Sequence, residues 1–233
     1  MRILINEKYI DRNKKISKIT MISSLVFLGF SFIAMLNTTA NSVLFFPALI
    51  AGVIGIILST INTPLANRFG NSPRPDELIT ASLKGLGDEF SLFHYSTDIP
   101  HLLLGPNGLW ILMPYQVKGK VVYDQTRKKW KLIKKSGLLV RIFGSEGIGN
   151  PTKEAQYLTQ DLQQGLSKKF TNQDLPRPTP LAIFLSTPIE LEVEGSPFPA
   201  IASDKIKNFL RRAPDLPKPQ QSGIERLRNQ LSS

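Results

Sequence analysis

The chain has 233 residues, no Cys, two His and a formal net charge of +11. Without Cys, disulfides, thiolate catalysis and every Cys-containing zinc site are excluded, and His94 and His101 alone leave little for a histidine-rich metal cluster or a Ser-His-Asp hydrolase. The charge divides into +4 on residues 1–18 and +7 on residues 68–233 (23 Lys and Arg against 16 Asp and Glu), which suits an anionic partner, either nucleic acid or a phospholipid surface.

Residues 1–18 read as a basic leader, with Arg2, Lys8, Arg12, Lys14, Lys15 and Lys18 against Glu7 and Asp11. The next 49 positions, 19–67, carry no charge and resolve into apolar blocks at 19–36 and 43–61 around Asn37-Thr38-Thr39-Ala40-Asn41-Ser42. As helices at about 1.5 Å per residue, blocks of 18 and 19 residues span roughly 27 to 29 Å, one hydrocarbon core each. Residues 19–61 are therefore expected to form a transmembrane helical hairpin in the bilayer. The Lys and Arg of its flanks predict a cytoplasmic location for both termini and the soluble part, in the inner (cytoplasmic) membrane of a bacterium. A cleaved signal peptide ending at Thr38-Thr39-Ala40 competes, but a signal's apolar region is typically about 7 to 15 residues, and here a second spanning block follows at once. Pro47 suits the first turn of the second helix. Ala48, Ala51, Gly52 and Gly55 permit close approach of the two helices or of two copies, a homo-oligomer, although apolar helices are commonly rich in such residues.

Residues 62–75 read as a linker, broken by Gly70, Asn71, Ser72, Pro73 and Pro75. The remaining length suffices for one domain, expected over 76–212. Residues 76–95 give a helical pattern through Leu78, Ile79, Leu83, Leu86, Phe90 and Phe93, weakened by Gly85 and Gly87. Strands are predicted at 101–105, 109–113, 117–123 and 130–134, the first two joined by the turn signal Gly105-Pro106-Asn107-Gly108. After the loop 144–149, Asn150 is a good N-cap and Pro151 a good first residue for a helix to about Phe170. The glycines before it lack the Gly-Lys-Ser/Thr ending of a phosphate loop and read as a connector. Leu181 to Leu185 reads as a buried central strand and 198–202 as a short one, followed by a helix over 203–212. Residues 213–233 read as a Pro-rich tail, its end 224–231 amphipathic but too short to be a stable helix alone.

Two charge clusters stand out. Ile189-Glu190-Leu191-Glu192-Val193-Glu194 puts three carboxylates on one strand face, roughly 6 to 7 Å apart and so too far to share a cation unaided, which favours a solvated face. Arg127, Lys128, Lys129, Lys131, Lys134 and Lys135 surround Trp130 in the densest charge on the chain. With Lys118 and Lys120 they are the candidate anion-binding residues, for anionic lipid headgroups or nucleic acid. The competing reading is an edge hairpin that uses Lys against sheet-to-sheet association.

The order of elements, with Gly87-Asp88-Glu89, Ile99-Pro100-His101-Leu102-Leu103-Leu104-Gly105-Pro106-Asn107-Gly108-Leu109-Trp110-Ile111-Leu112, Lys118-Gly119-Lys120-Val121, Trp130 and Asn150-Pro151 before Glu154-Ala155, resembles the nuclease-related domain (NERD) over about residues 76–212. The resemblance implies an α/β fold of the restriction-endonuclease-like kind, a mixed sheet flanked by helices. Family members hold a divalent cation with an Asp and the Glu of Glu-x-Lys, whose Lys assists the attacking water. Pro100, Met113 and Tyr115 stand at those positions, and none of them supplies an anionic ligand or a charged group. The expectation is a catalytically inactive, membrane-anchored binding or assembly module with no metal and no cofactor. The alternative is an active metal-dependent nuclease whose ligands have migrated to Asp88, Glu89, Asp98, Asp124 or Glu154, with Lys118 in place of the lost Lys.

Overall fold

The computed structural model describes residues 1–37, 43–133, 148–169 and 175–232. The chain divides into two compact units, Glu7–Arg74 and the combination of Met1–Asn6 with Pro75–Ser233.

The first unit is helical. Helix α1 (Glu7–Leu36) is continuous through 30 residues, so the leader's charged turns and the apolar block form a single rod. Helix α2 (Phe45–Leu65) carries Pro47 in its first turn, where a missing N–H costs nothing. Pro64 leaves a gap in the backbone ladder at the other end, and the chain widens into a π turn over Ala66–Gly70. Helical structure thus continues to Gly70, into the segment expected to be a linker from residue 62. Both helices are long and apolar enough to cross a membrane. The small residues form the seam between them: Ala48, Ala51 and Gly55 are buried, Ser24 donates to the Gly55 carbonyl at 2.9 Å, and Ser17 donates to Asn62 Oδ1 at 2.8 Å. Tyr9 meets Phe69 edge-on at 5.8 Å between ring centres. Elsewhere the large apolar side chains point outward, with Val26, Phe32 and Phe46 64%, 66% and 71% exposed.

The second unit is a mixed α/β structure built on a six-stranded sheet, in the order β1 (Arg2–Ile5), β2 (Ser91–His94), β3 (His101–Gly105), β4 (Gly108–Tyr115), β7 (Thr179–Phe184), β9 (Ala200–Ala202). β3 is antiparallel to both of its neighbours, and the other pairs are parallel. Trp110, Leu112, Leu103, Leu181 and Ile183 face helices α3 (Pro75–Leu83) and α5 (Ile206–Arg212). Leu102, Leu104, Ile111, Met113, Tyr115 and Phe184 face the opposite way. There they meet α4 (Pro151–Lys169) and α6 (Lys218–Ser232), together with a three-stranded sheet, β6 (Lys129–Ile133), β5 (Gly119–Asp124), β8 (Ile189–Glu192). Asn150 caps α4, its Oδ1 accepting from the Lys153 N–H at 3.1 Å, as its position before Pro151 predicts.

Three expectations are corrected. Residues 2–5 are not leader but the edge strand β1, parallel to β2 with Arg2 opposite Ser91 and Ile5 opposite His94. The helix expected over 76–95 ends at Leu83, because Gly85 turns to φ +93°, and Ser91–His94 is a strand buried on both faces. The tail is a 15-residue helix, α6, held by Ile224 and Leu227, which are 1% and 0% exposed in the core. Burial supplies the stability that an isolated two-turn helix lacks. Phe170, residues 144–147 of the glycine loop and residues 38–42 of the hairpin connection lie outside the described residues.

Candidate functional site

Of the positions singled out by the nuclease resemblance, Met113 and Tyr115 share one face of the sheet, and Pro100 stands just before β3. The β3–β4 pairing runs from Leu102 opposite Ile111 to Gly105 opposite Gly108, and Tyr115 lies two residues beyond Met113 on the same side of β4. The surroundings are apolar. Met113 is 1% exposed, and the Tyr115 ring stacks on Phe184 at 5.5 Å. The Tyr115 hydroxyl donates to Glu154 Oε2 on α4 at 2.7 Å. Pro100 offers its carbonyl, which accepts from the Tyr95 N–H at 2.8 Å.

Burial, then the Glu154 charge and the hydrogen bond to it, raise the Tyr115 hydroxyl well above its ordinary value of 10.0. The folded state holds this proton more tightly than the unfolded chain, so its stabilisation is complete below pH 10 and declines as pH rises beyond it. Tyr115→Phe is expected to cost about 1 kcal/mol at pH 8 through the lost hydrogen bond, and to flatten the loss of stability above about pH 10. Urea midpoints of both proteins at pH 8 and pH 11 measure the two effects.

The carboxylates that would serve as migrated ligands are dispersed. Asp88 pairs with the Met1 amine at 2.7 Å, Asp124 with Lys131 at 2.7 Å, and Glu154 with Tyr115, while Glu89 and Asp98 are exposed. Lys118 is exposed just before β5. Among the described residues no three of His, Asp and Glu gather where they could hold a metal ion. The residues leading to Pro100 line a pocket of about 280 Å³ with Gly165, Leu166 and Leu231. Its Ser96 and Thr97 hydroxyls donate to the main-chain carbonyls of His94 and Ile99.

His94 and His101 are too few for a histidine-rich metal cluster, and nothing in their number links them to each other. They are cross-strand partners, with Nδ1 atoms 2.8 Å apart and both rings buried, and His94 Nε2 lies 3.0 Å from Thr80 Oγ1. Seven-residue spacing around a strand reversal is the signal that could have paired them.

The basic and acidic clusters are also joined. β5 lies between β6 and β8, so Lys129 and Lys131 on one edge, Lys120 in the middle and Glu190 and Glu192 on the other edge share the outward face with Asp124. Three lysines there meet three carboxylates. Lys120 pairs with Glu192 and Lys131 with Asp124, whose carboxyl is held below the usual range by the Lys131 hydrogen bond and then by the Arg127 N–H. Trp130 points inward, donating to Thr152 Oγ1 at 3.0 Å and stacking on Phe198. Among the described residues β6 ends the three-stranded sheet, with Arg127 and Lys128 exposed in its turn. Lys134 and Lys135 lie outside the described residues. No protein-family model matches the chain, and no curated protein or solved structure does either.

Proposed function

We propose that this chain is a two-pass membrane protein whose α/β unit is a catalytically empty, NERD-like domain, held at the cytoplasmic face of a bacterial inner membrane as a binding or assembly module. One observation carries the anchoring: β1 and β2 are neighbours in one sheet although all of α1 and α2 lies between them in the chain. Both ends of the hairpin therefore emerge on one side. If α1 crosses a bilayer, α2 must cross back. Cleavage after Ala40 would strip β1 from the sheet, which argues against a signal peptide. The outward apolar faces of both helices suit lipid, and the Lys and Arg of the flanks favour the cytoplasm.

The mixed sheet with helices on both faces supports the NERD-like reading, as does the placement of Met113 and Tyr115 on one face of it. The chemistry of Met113, Pro100 and Tyr115 supports an empty site: a hard cation needs oxygen anions, and here it would meet a thioether, a pyrrolidine and a neutral phenol already bonded to Glu154. Membranes containing the full chain and washed with alkaline carbonate should retain it in the pellet. Purified in detergent with Mg²⁺ or Mn²⁺, it should leave plasmid and single-stranded DNA intact. Release by carbonate would refute the anchor, and EDTA-sensitive cleavage would refute the empty site.

A further inference from the structure

We infer that the first three turns of α1 form a contact for anionic phospholipids, in which Lys14, Lys15 and Lys18 bind headgroup phosphates where the helix enters the apolar phase. The inference rests on the membrane reading of α1 and α2. All the charge of α1 lies in its first twelve residues, up to Lys18, and the uncharged run begins at Ile19 without a break in the helix. At 3.6 residues per turn, Lys8, Arg12, Lys14, Lys15 and Lys18 fall within an arc of about 160°, turned away from the buried Ile10, Ser17 and Ser24. Glu7 and Asp11 are the only carboxylates on that arc, so its net charge is positive.

Height selects the three lysines. Measured from Ile19 at about 1.5 Å per residue, Lys18, Lys15 and Lys14 stand roughly 1.5, 6 and 7.5 Å along the helix, while Arg12 and Lys8 stand near 10 and 16 Å. The headgroup layer occupies about 5 to 8 Å of each leaflet, so the first three lie inside it and the others beyond. Lys14, Lys15 and Lys18 are exposed and make no ion pair among the described residues, whereas the Arg12 guanidinium lies over the Tyr9 ring at 5.4 Å. Their flexible stems can lie along the apolar boundary while the ammonium groups reach phosphate. In the denser cluster on β5 and β6, Lys120 and Lys131 are already held by Glu192 and Asp124. The three lysines of α1 carry no such pairing among the described residues.

The test uses the full chain reconstituted into phosphatidylcholine vesicles carrying a trace of spin-labelled phosphatidylglycerol or spin-labelled phosphatidylcholine. The protein-associated signal should favour phosphatidylglycerol several-fold at low salt and lose most of that preference at 1 M salt, where the screening length falls to about 3 Å. The triple variant Lys14→Gln, Lys15→Gln, Lys18→Gln should bring the ratio near parity. Lys120→Gln, Lys129→Gln, Lys131→Gln should leave the preference in place. Parity in the unmodified protein, or an unchanged preference in the α1 triple variant, would overturn the inference and leave the anchor standing. Failure of the chain to float with neutral vesicles would overturn the anchor and the inference together.

Discussion

Phe184→Ala should destabilise the α/β unit by about 3 to 5 kcal/mol, a large fraction of the roughly 5 to 15 kcal/mol that holds a domain of ordinary stability. Phe184 ends β7 with no exposed surface, stacks on Tyr115 and belongs to the core between the sheet and α4. Removing the ring leaves a cavity that the flanking strands β4 and β9 cannot close by moving, because both are hydrogen-bonded to β7 at that residue. Trp110 and Trp130 are the chain's two Trp and both lie in this unit, so urea unfolding followed by their fluorescence reads it without interference from the hairpin. A midpoint shift equivalent to less than about 1 kcal/mol would mean that the ring is not packed as described.

Gly55→Leu should separate α1 from α2. A Cβ at Gly55 would stand 2.7 Å from Leu28 Cγ and 3.1 Å from the Leu28 backbone N. The leucine side chain can rotate away but the backbone cannot, so α1 must retreat and the Ser24 bond to the Gly55 carbonyl is lost. In lipid, helix association depends on such close packing, with no hydrophobic gain to compensate for its loss. The chain has no native Cys, so Ser17→Cys with Asn62→Cys gives a specific pair at the Ser17–Asn62 contact. A short thiol cross-linker should join that pair efficiently in the parent and at least tenfold less in the Gly55→Leu background. Undiminished cross-linking would refute the seam.

What could be read in advance divides along local and non-local interactions. The apolar hairpin is visible because 49 uncharged positions have few other uses. The β3–β4 turn and the start of α4 are visible because Pro106-Asn107 and Asn150-Pro151 act through their own backbones. β1 is hidden because four residues become a strand only by pairing with Ser91–His94, far along the chain. β2 is hidden by its burial on both faces, which removes alternation, and Phe90 and Phe93 imitate helical spacing while facing opposite sides of the sheet. α6 is hidden because its helicity depends on Ile224 and Leu227 finding the core. At the candidate site, the identities of Pro100, Met113 and Tyr115 were plain. The Tyr115–Glu154 bond and the alignment of β5 between the basic β6 and the acidic β8 needed the fold.

Single cysteines at Thr39 and at Ser72, in the otherwise cysteine-free chain, test the account most directly. Thr39 lies in the connection between the two apolar blocks and Ser72 beyond the second, near the basic flank expected to face the cytoplasm. In intact cells a membrane-impermeant maleimide should label Thr39→Cys and spare Ser72→Cys, with both reactive after lysis. Labelling of Ser72→Cys but not Thr39→Cys would reverse the orientation, and equal labelling of both in intact cells would contradict a two-pass anchor with its domain inside.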